Sequence, residues 1–150
     1  MGRIVVGVDG SEQSRLALSW ARDEARLRSS ALEVIYAYAL VTPWFAAGIP
    51  MGMDLSVIPS AEDLAEYADQ VLAPEVAQIV GEPVGFELST RALPGHPHEV
   101  LVEASEGAEL LVLARHGRGE VGTRLLGSVS LHCILHAKCP VVVVSEPQLH

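Results

Sequence analysis

Two segments of the sequence carry residues that can bind an anion or a metal ion, and each follows an apolar run. The first is Asp9-Gly10-Ser11, in which a carboxylate and a hydroxyl stand beside a flexible glycine. The second, 115–127, is rich in glycine, which permits positive φ angles and close approach of the backbone to a ligand. Gly127 and Ser128 then open a helical pattern, and the unpaired N–H groups at a helix start bind anions. A phosphate chain between this loop and this helix start would be held mainly by backbone amides.

The glycine-rich segment differs from two familiar phosphate-binding motifs. It has no Gly-Lys-Ser/Thr sequence of a Walker P-loop, and it follows the fourth predicted strand, whereas the Rossmann glycine turn follows the first. Ser128 and Ser130 add hydroxyl donors at the helix start. A surface loop before a capped helix is the competing interpretation. The role of Asp9 also has two interpretations: it faces a ligand, or it only stabilises the turn at Gly10-Ser11.

Alternating strand and helix patterns must position these segments. Apolar or β-branched runs predict five strands, at 4–8, 32–40, 84–93, 110–114 and 141–144. Periodic apolar residues predict helices at about 11–29, 60–80, 97–106 and 128–136, and 42–60 is predicted to be an irregular loop. Ser11 is a predicted N-cap, Ser60 and Asp63 resemble a capping box, and Pro74 predicts a kink. The apolar face of the first helix is expected to include Leu16, Trp20, Ala21 and Leu27.

Continuous apolar strands separated by helices indicate a parallel sheet that is covered on both faces. The right-handed crossover rule then favours a doubly wound α/β fold. The length of 150 residues suits a single domain over 1–150. In such a sheet, ligands bind outside the carboxyl ends of the strands, near the point where the strand order reverses. A ligand site is therefore expected near Asp9, near Ala37 in the second strand and in the segment that follows Ala114.

The composition excludes several classes of protein. Apolar residues make up 49% and charged residues 19%, which suits a sizeable core and excludes a disordered or collagen-like chain. The formal net charge of −9 repels phosphate backbones and anionic lipid, so we expect no nucleic-acid and no membrane partner. No apolar run approaches the ~20 residues of a membrane helix. No secretion signal precedes the first strand, so a cytoplasmic protein is expected.

The cysteines and histidines give weaker indications. Cys133 and Cys139 lack CxxC spacing and are expected to be buried thiols. His132 and His136 stand four residues apart and can hold a metal on one helical face, but no third ligand stands at a readable spacing. Two further histidines, at the start of the third helix, are expected to be solvated. His116, in the glycine-rich segment, is the histidine to test for nucleotide contact.

Taken in order, four segments resemble the universal stress protein family, and the resemblance covers essentially the whole chain. They are Val6-Gly7-Val8-Asp9-Gly10-Ser11, the strand 110–114 leading into the glycine loop, Leu125-Leu126-Gly127-Ser128-Val129-Ser130, and Cys139-Pro140-Val141-Val142-Val143-Val144. Nine residues separate Gly117 from Gly127-Ser128, a spacing similar to that of the nucleotide-binding branch. The resemblance implies an open five-stranded parallel sheet with helices on both faces, Rossmann-like and adenine nucleotide alpha hydrolase-like, together with ATP binding and dimerisation.

The resemblance also implies roles for individual residues. Asp9 resembles the acid that meets the ribose or a phosphate-bound Mg²⁺, and Ala37 matches the residue whose backbone reads the adenine edge. Gly117 and Gly127 would line the phosphate channel, beside the hydroxyl and amides of the helix start. We add Arg118 as a cation for the phosphates. The residues expected to bind the nucleotide are Val8, Asp9, Gly10, Ser11, Ala37, Ala114, Arg115, His116, Gly117, Arg118, Gly127, Ser128, Val129 and Ser130.

One position departs from the family pattern. Three residues before Gly117 the pattern has a glycine, and this sequence has Ala114. A positive φ there would cost alanine ~1–2 kcal/mol, whereas with a negative φ the methyl group would only narrow the space beside the ribose. Because about 1.4 kcal/mol is tenfold in affinity, Ala114 would weaken nucleotide binding without abolishing it. Arg115 and His116 would alter the rim of the pocket.

Three functional hypotheses follow. The leading one is a regulatory stress-response protein that binds ATP, ADP or AMP and whose occupancy alters a surface read by a protein partner. A slow ATPase or phosphotransferase is the second, although no convincing general base stands beside the expected γ-phosphate. A nucleotide-free dimeric scaffold is the third, if Ala114 blocks the site. The resemblance implies a homodimer that pairs through Val141–Val144, but a buried strand within one subunit predicts the same sequence.

Overall fold

A five-stranded parallel sheet forms the centre of the computed structural model, which describes residues 2–38, 60–81, 85–116 and 126–146. The spatial order of the strands is β3-β2-β1-β4-β5, and every neighbouring pair is parallel. The order reverses between β1 and β4, which confirms the predicted open, doubly wound α/β fold. The strands are β1 (Arg3–Val8), β2 (Ala31–Tyr38), β3 (Leu88–Pro94), β4 (Leu110–Ala114) and β5 (Val141–Val144).

Helices pack on both faces of the sheet and enclose two clusters of buried side chains. Successive strand residues alternate between the clusters, because side chains of a strand point to opposite faces. Ile4 and Val6 face the cluster that contains Leu18 of the first helix, whereas Val5 faces the cluster that contains Leu101. The helices are α1 (Glu12–Arg28), α2 (Ala61–Tyr67), α3 (Ala73–Val80), α4 (Pro97–Ala104) and α5 (Ser128–His136), and a π-helical segment (Ala68–Leu72) joins α2 to α3.

The predicted helix starts are confirmed by their hydrogen bonds. The Ser11 hydroxyl oxygen accepts the backbone N–H of Ser14 at 3.1 Å. Before α2, the backbone N–H of Ser60 donates to Asp63 Oδ2 at 2.9 Å, and the N–H of Asp63 donates to Ser60 Oγ at 3.2 Å. Pro74 lies in the first turn of α3, directly after the π-helical segment. Because proline has no N–H for a helical bond, the predicted irregularity lies at this point.

The apolar face predicted for α1 is wrong at three of its four positions. Leu16, Trp20 and Leu27 keep 40%, 36% and 79% of their surface exposed. Small side chains let α1 approach the sheet closely, so alanines rather than Trp20 occupy the core side of the helix. The buried positions are Ser14, Ala17, Leu18, Ala21 and Ala25.

Element boundaries differ from prediction where pairing or capping decides them. The described part of the predicted strand 84–93 forms β3 only from Leu88. The first pair between β2 and β3 is Leu32 with Leu88, and this pairing fixes the start of β3. Residue 84 lies outside the described residues. The predicted helix 97–106 ends at Ala104. The bounds predicted for β4, α5 and β5 are confirmed. The predicted loop up to residue 59 and the last two residues of the predicted second strand lie outside the described residues.

Candidate functional site

A cleft of about 100 Å³ opens at the carboxyl ends of β1, β2 and β4. Open parallel sheets bind their ligands outside the carboxyl ends of their strands, next to the point where the strand order reverses, and the cleft lies at this point. Six of the predicted binding residues line the cleft, and Asp9 is the one ionisable side chain among the described residues that line it. These six are Val8, Asp9, Ala37, Ala114, Val129 and Ser130.

The turn after β1 is held by a short network of hydrogen bonds. Asp9 Oδ1 accepts the backbone N–H of Ser11 at 2.9 Å, and the Asp9 N–H donates to Ser14 Oγ at 3.4 Å. Gly10 has a φ of 83°, a conformation that favours glycine. Asp9 therefore stabilises the turn, as one of its two predicted roles requires, and it also lines the cleft.

Gly7 shapes the floor of the cleft by its lack of a side chain. A Cβ atom at this position would lie 2.8 Å from Leu101 Cδ1 and 3.1 Å from Leu113 Cδ2. Such contacts are too close for carbon atoms, so the glycine allows α4 to approach the end of β1. Leu101 and Leu113 are thereby brought to the cleft as an apolar wall.

The start of α5 is fixed at the end of β4 by two hydrogen bonds, and a third joins this end of β4 to β5. The Gly127 N–H donates to the Arg115 carbonyl at 2.8 Å, and the Arg115 N–H donates to the Val144 carbonyl at 3.0 Å. The Ser130 hydroxyl donates to the Ala114 carbonyl at 2.6 Å. Ser130 is buried, and its single O–H already has a partner. In this structure the Ser130 hydroxyl therefore positions the helix start, and its contact with phosphate stays a prediction.

The first turn of α5 retains the character of an anion site. Its N-cap residue, Gly127, is buried, whereas Ser128 is exposed. The backbone N–H groups of the first turn have no partner within the helix. This turn carries no acidic side chain, so nothing there opposes the positive end of the helix dipole.

Ala114 has an extended backbone as the last residue of β4, paired with Val144. Among the non-glycine residues that the structure describes, only Ser29 has a positive φ. The strain alternative for Ala114 is therefore wrong, and its methyl group acts only by narrowing the cleft that it lines.

The remaining predicted residues flank the cleft or lie outside the described chain. Gly10, Ser11, Arg115, His116, Gly127 and Ser128 occupy neighbouring positions in sequence. The Nδ1 atom of His116 is buried, and the described residues offer it no hydrogen-bond partner. Gly117 and Arg118 lie outside the described residues, so their predicted roles stay predictions.

Apolar lining residues were missed by the sequence reasoning, which followed polar and glycine motifs. Ile35 stands two residues before Ala37 in β2 and lies on the same face of the sheet. Pro97 and Leu101 stand four residues apart on α4 and contribute one wall. These two periodicities are the signal that would have identified the wall.

The described cysteines and histidines do not form a metal site. Within the described ranges, no group of three or more His, Cys, Asp or Glu side chains is arranged to hold a metal ion. Burial raises the pKa of Cys133 to about 11, and burial also raises the pKa of the half-buried Cys139, with Arg3 acting in the opposite direction. Both thiols are therefore poor nucleophiles near neutral pH. The prediction of a buried thiol is confirmed for Cys133 and only in part for Cys139.

None of the helices in the described part of the chain combines the length and the apolar character needed to span a bilayer.

Comparison with known proteins agrees with the fold and shows the family of the chain. The family model described as "Universal stress protein family" matches residues 1–145. A universal stress protein of Mycolicibacterium smegmatis is 33% identical over 141 residues, covering 94% of this chain and 47% of that protein. The chain thus spans about half the length of the curated relatives it matches.

Solved structures share the architecture. The universal stress protein UspA of Lactobacillus plantarum superimposes with a TM-score of 0.75 at 21% identity, covering 95% of this chain and 97% of that one. A universal stress protein in complex with cAMP has a TM-score of 0.64 at 26% identity, covering 95% and 96%. A universal stress protein of Archaeoglobus fulgidus in complex with dAMP has a TM-score of 0.60 at 25% identity, covering 95% and 97%.

The parallel sheet and its cleft at the point of strand reversal define an α/β protein of the type that binds ligands at the carboxyl ends of its strands. With the family model matching nearly the whole chain, this protein belongs to the universal stress protein family.

Proposed function

We propose that the cleft binds an adenine nucleotide, with ATP as the leading ligand, and that the protein is a regulatory nucleotide-binding module in a stress response. One observation carries the proposal: the apolar cleft lies beside the start of α5, whose first amides have no partner within the helix, at the point where the strand order reverses. Two structural neighbours whose names report complexes with cAMP and dAMP support the choice of an adenine compound.

The residues suggest how the ligand would lie. The adenine would occupy the apolar wall of Ile35 and Leu101 and meet the backbone of Ala37, and the ribose would lie beside Asp9 and Ala114. A cleft of about 100 Å³ is smaller than a typical pocket for a whole ligand, so it would enclose only part of the nucleotide. The phosphates would then extend to the exposed first turn of α5, with the predicted contacts of Gly117 and Arg118 beside them.

A magnesium ion fits this arrangement as part of the nucleotide rather than as a resident metal. Mg²⁺ is commonly held by one or two carboxylates, substrate phosphates and water. The cleft offers one carboxylate among its described lining residues, that of Asp9, whose Oδ1 also accepts the Ser11 N–H. Asp9 would hold the ion together with phosphate oxygens and water, and the ion would neutralise phosphate charge.

A second copy of the chain is the partner that the sheet edge favours. β5 is an edge strand of the described sheet, and its four valines are only half-buried. An edge strand leaves backbone N–H and C=O groups available for pairing with another chain. We therefore propose that Val141–Val144 pair across a homodimer axis and that nucleotide occupancy changes a surface read by a regulatory protein.

The first test identifies the resident ligand. Freshly purified protein is denatured, any released nucleotide is identified by chromatography, and the stripped protein is titrated with ATP and Mg²⁺ by calorimetry. We expect an adenine nucleotide in the released fraction and a measurable heat of binding. Phosphate release above background, lost on Asp9→Ala, would instead support the slow enzyme, and absence of both nucleotide and heat would support the nucleotide-free scaffold.

Gly127→Val tests the placement of the phosphates. Gly127 has a φ of −64° and a ψ of 157°, which any residue can adopt, so valine there adds bulk without backbone strain. We expect the affinity for ATP to fall by about tenfold or more, because the side chain would obstruct the helix start. Unchanged affinity in a variant that melts cooperatively would contradict the placement.

A further inference from the structure

Four of the six histidines form a continuous row on the surface of α4 and α5. The ring centroids of His96 and His98 are 5.5 Å apart, those of His98 and His132 are 4.6 Å apart, and those of His132 and His136 are 4.5 Å apart. The contact between His98 and His132 joins the two helices. We call these four residues the histidine row.

The histidine row lies on the two helices that line one side of the cleft. His98 directly follows Pro97, and His132 stands two residues after Ser130, and both Pro97 and Ser130 line the cleft. A force between His98 and His132 therefore acts on the helix starts that border the proposed nucleotide site. α4 and α5 also share the buried cluster that contains Leu101.

The rings can contact one another closely when neutral, but protonation places like charges side by side. His132 shows the effect, because burial, then His136 and then His98 lower its pKa, while Glu99 acts in the opposite direction. α4 contributes His96, His98 and Glu99, and Glu99 Oε1 lies 4.0 Å from His98 Nε2. α5 contributes His132 and His136, and β5, which packs against α5, contributes only valines. The charged residues of β1 and β2, which pack against α4, are Arg3 and Glu33, and these two pair with each other.

The helix dipoles add to the repulsion at one end of the row. His96 is the N-cap residue of α4 and His98 lies in its first turn, where positive charge is unfavourable. His136 lies in the last turn of α5, where positive charge is favourable. A positive charge is therefore less favourable at the α4 end of the row than at the α5 end.

The direction of the pH effect follows from linkage. A histidine with a lowered pKa in the folded state binds a proton more readily when unfolded, so its contribution to stability is present above the unfolded pKa. For His132, whose ordinary pKa is 6.5, that contribution is lost as the pH falls below this value and through the lowered pKa.

We infer that the histidine row is a pH-sensitive device that loosens the contact between α4 and α5 on acidification and thereby weakens nucleotide binding in the cleft. The coupling to the cleft rests on the proposed function, whereas the pH sensitivity of the helix contact does not. Because the rings are at the surface, the repulsion is screened by salt.

The test compares the wild-type protein with the His98→Gln/His132→Gln double variant, which removes both charges from the contact between the helices. Melting temperatures without nucleotide and ATP affinities are measured at pH 7.5 and pH 5.5, with EDTA in the melting buffer. The phosphates of ATP also bind protons near pH 6, so the difference between the two proteins is the quantity of interest. His132→Lys serves as a mimic of the charged state.

On acidification, we expect the wild-type melting temperature to fall by about 1–3 °C more than that of the double variant. Its ATP affinity should fall by about two- to fivefold more, and 1 M NaCl should reduce both differences. His132→Lys should show the lowered melting temperature already at pH 7.5. Equal pH dependence of the wild type and the double variant in melting temperature would overturn the device. Equal pH dependence of the two proteins in ATP affinity alone would overturn the coupling of the histidine row to the cleft. Absence of ATP binding at pH 7.5 would overturn that coupling and would also contradict the proposed function.

Discussion

Two recesses adjoin α4, and they differ in how their polar groups are used. The groove around Glu33 has a volume of about 550 Å³, against about 100 Å³ for the cleft at the strand ends. In the groove, Glu33 is 8% exposed and contacts Arg3 at 2.8 Å and Arg91 at 3.2 Å. Arg3 also donates to the carbonyls of Ala104 and Glu106. The charges of Arg3, Glu33 and Arg91 are thus paired within the protein itself.

The cleft shows the opposite arrangement. Its walls are largely apolar, and the neighbouring helix start offers amides without intrahelical partners. A ligand entering the groove must compete with Glu33 for both arginines, whereas a ligand entering the cleft meets walls that are mostly apolar. Volume and charge alone would favour the groove as a ligand site, whereas the pairing of its charged groups favours the cleft as the proposed nucleotide site.

Removing the central carboxylate of the groove should give the largest change in stability. Glu33→Ala leaves Arg3 and Arg91 facing one another, and because both arginines are partly exposed we expect a loss of about 1–3 kcal/mol. Urea denaturation gives the free energy of unfolding. ATP affinity should stay within about twofold of wild type, and a larger loss of affinity would contradict the separation of the two recesses.

Removing the hydroxyl that anchors α5 should have a smaller effect on stability and a visible effect on binding. Ser130→Ala deletes the bond to the Ala114 carbonyl, which is 2.6 Å long in the intact protein. We expect a loss of about 1 kcal/mol in unfolding free energy and a several-fold loss of ATP affinity, because the helix start becomes less well fixed. Ser60→Ala, at the exposed cap of α2, is the control. Equal ATP affinities in the two variants would argue against a positioning role.

The smallest expected change concerns Ala114. Ala114→Gly removes a methyl group from the cleft wall without relieving strain, because the backbone is already extended. We expect ATP affinity to rise by about two- to fivefold, while stability falls by about 0.5–1 kcal/mol through the added freedom of glycine. Calorimetry measures the ATP affinity of both proteins. Unchanged or lower affinity in Ala114→Gly would show that the methyl group does not hinder nucleotide binding.

Local patterns were sufficient for much of the fold. The bounds of β4, α5 and β5 follow from apolar runs and a helix start, and each is confirmed. Trp20 was misplaced because apolar character alone does not tell which side chains are small enough for a close helix–sheet contact. The start of β3 was misplaced because its pairing depends on where the distant strand β2 begins.

Features with a local sequence signal could be predicted, whereas contacts between residues far apart in sequence could not. Asp9 and the start of α5 carry local signals in glycine, serine and capping patterns. The contact of His98 with His132 and the pairing of Glu33 with two arginines join residues far apart in sequence, so periodicity does not reveal them. The donation from Ser130 to Ala114 likewise depends on how α5 meets β4.

The central claim is that nucleotide binds in the cleft and not in the groove, and an NMR titration tests it most directly. Uniformly ¹⁵N-labelled protein, stripped of nucleotide, is titrated with ATP and Mg²⁺ while backbone amide shifts are followed. We expect saturable shifts at Asp9, Ala37 and Val129, which line the cleft, and small shifts at Glu33 and Arg91. Saturable shifts concentrated at Glu33 and Arg91, or none anywhere at millimolar ATP, would contradict the claim.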